Sequence, residues 1–196
     1  MKKNIIFILL IILEGCAVKP LPATKKYTIG QNIDIEKIST TSKCLNINIA
    51  FPQSSAEILS KNIIYVKGLE KNRYYFSRWF ESPNLMISKL LYKVFKKVSI
   101  CKNIYYMMPK ESIPFNLESK ILEFDQVFEG KSSKGVVDII FYITDKNGNI
   151  LSQKEFRVEK NSLSNNAKGG VEALSKATKE IIEKAVVWAN GQISVK

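Results

Sequence analysis

The first sharply patterned stretch of the chain is 45–51, where Leu45, Ile47, Ile49 and Phe51 alternate with Asn46, Asn48 and Ala50. Period two places the apolar set on one face of a half-buried strand. Pro52 stops that strand, because proline has no N–H to offer a ladder. A second apolar run, Ile63 to Val66, passes through Gly68 into the β-favouring aromatic stretch 73–79, and the two read as a hairpin. Ser82-Pro83 marks a helix start, a cap hydroxyl followed by proline in the first turn. Leu85, Ile87, Leu90, Leu91, Val94 and Phe95 then recur at helical spacing, and Lys89, Lys93, Lys96 and Lys97 fill the rest of the circumference. Residues 98–106 form a further strand candidate.

The C-terminal half is patterned more simply. An extended segment over 116–128 ends at Glu129-Gly130-Lys131, and 135–144 follows with Val137, Ile139, Phe141 and Ile143 on one face. Asp145-Lys146-Asn147-Gly148-Asn149 is a hairpin signal, since Asn-Gly accepts the positive φ values of tight turns. The chain returns over 150–159 as the third strand of a meander. A polar stretch, 160–170, with Gly169 and Gly170 read as turn residues, leads into a last helix whose Leu174, Ala177, Ile181, Ala185 and Trp188 repeat at 3–4 spacing. Two helices cannot cover both faces of a sheet. The expectation is therefore a single α+β domain over 44–190, a mainly antiparallel sheet with two helices packed on one face, and a tail over 191–196.

The N-terminus obeys a different logic. Lys2 and Lys3 precede an apolar run from Ile5 to Leu13, too short for a stable membrane span and of the length of a signal-peptide core. The run ends in Leu13-Glu14-Gly15-Cys16, which is similar to the bacterial lipobox: Leu at −3, a small residue at −1 and an acceptor thiol at +1. Glu14 departs from the usual small residue at −2; the other reading is an ordinary secretory peptide with a coincidental cysteine. Residues 1–15 are thus expected to be removed and Cys16 lipidated. Residues 16–43 would form a lipid-anchored tether, with a short edge strand at Tyr27-Thr28-Ile29. Ala17, in place of Asp, points to the periplasmic face of the outer membrane.

Composition narrows the chemistry. The 196 residues include no histidine, which removes Ser-His-Asp and Cys-His nucleophile pairs and imidazole metal sites together. Thirty basic against 18 acidic residues give +12, yet export argues against nucleic acid, and coding bias toward Lys, Ile and Asn accounts for part of the charge. Cys44 and Cys101 are an even pair in an oxidising compartment, fitting either a disulfide between neighbouring strands or two buried thiols. Glycines form neither GxGxxG nor a P-loop. Glu118 with Glu123, or Asp125 with Glu129, could be an acid–base pair, but carboxylates on the wet face of a strand are far commoner. No cofactor, metal or catalytic residue is expected. Arg73 to Phe80 would suit either an anionic head group or hairpin packing, and the lysines of the first helix either anionic lipid or plain solvation.

One resemblance rises above these readings. Cys16 with the proline-bearing stretch to Tyr27-Thr28-Ile29, the strand 45–51 and Ile63-Ile64-Tyr65-Val66 come first. Next are Tyr75-Phe76-Ser77-Arg78-Trp79-Phe80-Glu81-Ser82-Pro83, Phe124 to Gly130 with Ser133, Val171-Glu172-Ala173-Leu174 and Trp188. In order and spacing they resemble the ABC-type transport auxiliary lipoproteins, the PqiC-like components of MCE lipid-transport systems. The resemblance implies a non-catalytic outer-membrane lipoprotein, with Arg78, Trp79, Glu81, Pro83, Gly130 and Trp188 as a structural signature. Arg78 would pair with a carboxylate, and Trp79 would pack under the first helix. The implied partners are an MCE-domain protein with its ABC permease and ATPase, phospholipid, and further copies of the chain. The alternative function is an envelope scaffold that binds an outer-membrane β-barrel or the cell wall.

Overall fold

A computed structural model describes residues 21–30 and 44–193. Among these residues, nine strands and three α-helices occur in the order β1 (Lys25–Tyr27), β2 (Cys44–Ile49), β3 (Gln53–Ser54), α1 (Ala56–Leu59), β4 (Asn62–Lys67), β5 (Glu70–Trp79), α2 (Pro83–Val98), β6 (Cys101–Tyr106), β7 (Phe115–Glu129), β8 (Ser132–Asp145), β9 (Ile150–Asn161) and α3 (Ala167–Gln192). The class is α+β. The hairpin β4–β5 and the meander β7–β8–β9 form as the alternation and turn residues predict.

The sheet is mixed, and here the expectation of a mainly antiparallel sheet is corrected. Five ladders are parallel: β1 with β5, β2 with β6, and β2, β3 and β4 each with β7. The reason lies in the length of β7. One of its edges is taken over its whole length by β8, while the other is shared in succession by β2 at Asn116 and Leu117, β3 at Lys120 and Ile121, and β4 from Gln126 to Phe128. Local alternation shows that a segment is a strand but carries no record of a partner 60 residues away.

Helices α2 and α3 pack against one another; α2 lies against β2 and β6, and α3 against β7, β8 and β9. Between them and the sheet lies one core, which includes Ile47, Ile49, Trp79, Ile87, Phe95, Phe141 and Ile181. Three local expectations differ. Ser82 caps α2 without a side-chain hydrogen bond, its carbonyl accepting the Met86 N–H at 3.1 Å. Leu45 is exposed whereas Asn48 is fully buried. Asn48 is held by giving hydrogen bonds of 2.9 Å to Asn116 Oδ1 and to the Met108 carbonyl, so polarity did not decide its face.

Gly169 and Gly170 lie inside the first turn of α3, not in the loop before it. Close approach explains Gly170, because a β-carbon there would sit 2.1 Å from Gln126 Oε1. Gly135 plays the same part from the sheet side, where a β-carbon would lie 2.6 Å from the Leu174 backbone nitrogen. Helix and strand thus meet backbone to backbone at this point.

Candidate functional site

The segment that carries the resemblance is the turn from β5 into α2. Trp79 is buried, its ring 5.6 Å from that of Phe124, and its backbone N–H donates to the Lys61 carbonyl at 2.8 Å. Phe80 comes next, 60% exposed, with its N–H donating to the Tyr27 carbonyl at 2.7 Å. Glu81 receives Lys89 Nζ on both carboxylate oxygens, at 2.6 and 2.7 Å, and buried Pro83 opens the helix. Arg78 does not form the expected carboxylate pair: it is exposed, opposite Lys26 in β1 and Asn62 in β4, with no acidic partner among the described residues. The acid of this turn is spent on Lys89 instead.

Behind the turn, the motif around Phe124 builds a polar chain centred on buried Gln126 and Ser133. Tyr74 Oη donates to Gln126 Oε1 at 2.7 Å, Gln126 Nε2 donates to Ser133 Oγ at 2.8 Å, and Ser133 Oγ donates to Asn165 Oδ1 at 2.9 Å. The chain links β5, β7, β8 and the loop before α3, and Gln126 is wholly buried. Burial, and then the nearby Tyr65, push the Tyr74 phenol up to about 12. It stays a neutral donor across the physiological range.

Asp125, the neighbour of Gln126, turns to the opposite side of the sheet. It is 3% exposed and accepts Lys71 Nζ at 2.8 Å, while Lys71 also meets Glu57 at 2.7 Å. Burial raises the Asp125 carboxyl above its ordinary range, against the pull of Lys71. Burial acts to lower the Lys71 ammonium, but hydrogen bonds to Asp125 and Glu57 carry it upward overall. Further along this surface Arg157 joins Glu123, Asp138 and Glu159, and Lys134 ties Glu159 to Glu129. The carboxylates considered for acid–base work are therefore each held by a cation, including Glu118, which takes Lys110 at 2.7 Å.

Other residues singled out in the sequence occupy separate elements. A disulfide joins Cys44 and Cys101 directly across the β2–β6 ladder, with the Cα atoms 4.5 Å apart. Gly130 forms the β7–β8 turn at φ +58°, a left-handed conformation that glycine takes without strain, and Trp188 packs on the core from the last turns of α3. Cys16 lies outside the described residues, as do residues 1–15. Sequence reasoning missed the roles of Asn48, Asn116, Tyr74 and Asn165; Asn48 stands on the polar side of its alternating strand and Asn165 in a loop, so the pattern carried no signal for them.

The N-terminal segment docks on the domain through β1 and the residues just beyond it. Ile29 is buried, its N–H pointing at Met86 Sδ at 3.5 Å, and the Gly30 N–H donates to Ser175 Oγ of α3 at 3.3 Å. A cleft of about 410 Å³ lies beside this segment, lined by Ile29, Met86 and Leu90 with the Glu81–Lys89 pair at its rim. Its lining combines these apolar side chains with that ion pair, Thr28 and Lys93. Among the described residues no group of three or more His, Cys, Asp or Glu could hold a metal ion, and no helix is long and apolar enough to cross a membrane.

No family model matches the chain, and no curated protein matches it. Solved structures do. A Xanthomonas campestris protein of the DUF330 family superposes with a TM-score of 0.69 at 14% identity, covering 87% of this chain and 95% of that one. An uncharacterized protein gives 0.67 at 9% identity, over 86% and 99%. A hypothetical protein of Chlamydia trachomatis gives 0.51 at 8% identity, over 76% and 98%. The chain therefore shares its fold, over most of its length, with a protein of the DUF330 family.

Proposed function

We propose that the chain is a lipoprotein of the bacterial envelope, anchored through Cys16 to the periplasmic face of the outer membrane. In this reading it serves, without catalysis of its own, as the accessory component of an ABC/MCE-type lipid transporter. One conjunction carries the proposal: a lipobox-like segment stands directly ahead of a domain with the fold of a DUF330-family protein. The PqiC-like resemblance supports it, since Trp79, Pro83, Phe124, Gln126 and Ser133, all from its matching segments, are buried. The docked β1 strand adds a mechanical element. Lys25 stands nine positions after Cys16, a reach of at most about 30 Å, so an acylated chain holds the domain close to the leaflet.

Mild crosslinking in the native envelope, purification of the full-length chain and mass spectrometry of its partners test the reading. Recovery of an MCE-domain protein together with an ABC permease or ATPase is the expected result. Repeated recovery of a β-barrel or cell-wall fragments, without any MCE component, would replace the transport reading with that of an envelope scaffold.

A further inference from the structure

Among the described residues, the edge of the sheet where β1 meets β5 collects cations with no acid paired to them. Lys26 and Arg78 are partners across the β1–β5 ladder, so their side chains leave the same face of the sheet. Like charges directly opposite one another cost stability, and neither has an acidic partner among the described residues. Lys25 precedes Lys26 on the same strand and leaves the other face, on the side of Tyr27, while Lys61, whose carbonyl binds the Trp79 N–H, flanks Arg78 from β4. All four are exposed. Phe80, 60% exposed, stands beside them, and Tyr75, 76% exposed, lies farther back along β5. The nearest carboxylate in sequence, Glu81, is occupied by Lys89.

We propose that this edge, Lys26 and Arg78 beside Phe80 with Lys25 and Lys61 at its margins, is a docking surface for an anionic phospholipid leaflet. Two observations choose that occupant. The charge is of one sign and sits beside an aromatic ring, the combination that suits a layer of phosphate groups above acyl chains. Lys25 is also the first residue of the strand through which the N-terminal segment joins the domain, nine residues from Cys16. An acyl anchor at Cys16 would therefore bring this edge, ahead of any other part of the fold, into reach of lipid. The inference rests on the lipoprotein reading, which it extends from an anchor to a second, electrostatic contact that sets the domain's orientation.

The test uses the full-length chain purified from membranes and reconstituted into vesicles. One set is phosphatidylcholine alone, and the other contains about 30% phosphatidylglycerol to supply the anionic surface. Amine acetylation read by mass spectrometry reports each lysine. Lys25, Lys26 and Lys61 are expected to react several-fold more slowly on the anionic vesicles, Lys154 of β9 equally on both, and salt at about 1 M should abolish the difference. Arg78→Glu, at an exposed position with no acidic partner among the described residues, should weaken the protection by at least about five-fold, and Phe80→Ser should weaken it without changing its salt dependence. Equal labelling on both vesicles, or protection that survives Arg78→Glu and high salt, overturns the proposal. The mass of the Cys16 peptide separates this failure from failure of the anchor. If Cys16 carries no lipid, sedimentation with anionic but not neutral vesicles still supports the surface, and absence of sedimentation rejects it.

Discussion

Replacing Gly135 by Ala tests the backbone-to-backbone contact between β8 and α3. The new methyl would lie 2.6 Å from the Leu174 nitrogen, 2.8 Å from the Ala173 carbonyl carbon and 2.9 Å from the Ala173 β-carbon. Two of these are main-chain atoms, so no rotamer change relieves them, and strand and helix must separate by most of an ångström. The helix resists that movement, because its Gly170 packs on Gln126 and the polar chain beyond. Overpacking of this kind costs about 1–3 kcal/mol, and the upper end applies where backbone is the obstacle. Alanine gains back about 0.5–1 kcal/mol by restricting the unfolded chain, leaving a net loss of about 2 kcal/mol and a melting point lower by about 4–8 °C. Gly191→Ala is the matched control. It sits in α3 with nothing within 4 Å of the added carbon, and should stabilise by about 0.5 kcal/mol. Ala173→Gly in the Gly135→Ala background should recover only part of the loss, since the Leu174 nitrogen remains in the way. Urea unfolding monitored by tryptophan fluorescence measures the parent and all three variants. Equal stability of the Gly135 and Gly191 variants would refute the close contact.

Three further outcomes are expected. Lys71→Met strands the buried Asp125 carboxylate and should cost about 2 kcal/mol at pH 7, less than for a wholly buried pair because Lys71 is 43% exposed. Asp125 has a folded pKa above its ordinary 3.8, so the folded state holds its proton to higher pH than the unfolded state. Its contribution is therefore greatest at low pH and is lost as pH rises through the folded value, and the Lys71→Met deficit, read from urea midpoints, should shrink on acidification. Asp145 behaves in the opposite sense. Hydrogen bonds from the Asn149 side chain and the Asn149 backbone hold its carboxyl below the ordinary range. Asp145→Ala should thus lower the melting temperature at neutral pH, with the difference from the parent chain vanishing as pH falls through that lowered value. Removing the Cys44–Cys101 bridge frees a loop spanning 57 residues, worth about 4 kcal/mol on the chain-entropy model, so the Cys44→Ser/Cys101→Ser chain should unfold at distinctly lower urea than the oxidised parent.

The periodic elements were legible in the sequence because each carries its own signature. Val137, Ile139, Phe141 and Ile143 mark the buried face of β8, and Asn147-Gly148 marks its turn. Partnership was not legible, since the parallel pairing of β2 with β6 joins residues 57 positions apart and leaves no local trace. Gly169 and Gly170 misled for a related reason. A glycine read alone suggests a turn, and only Ser164 and Gln126, brought in by the fold, show that these positions exclude a side chain. In the candidate site, the aromatic and proline residues of the 75–83 segment were visible as a motif. That Arg78 meets no acid among the described residues was not, because it depends on Lys26 being its neighbour across a ladder.

The sharing of one β7 edge among three strands has a consequence for how the chain comes to be folded. β2, β3 and β4 all precede β7, and each completes its pairing only when residues 116–128 have been made. The β4–β5 hairpin can close by itself, but β2 must wait for β6 and then β7, and α3, which covers β7, β8 and β9, comes last of all. Such long-range closure is slow and nearly all-or-none. A nascent chain halted anywhere before about residue 130 therefore has no stable partial domain to settle into. It remains threadable through a narrow pore until its final helix is complete.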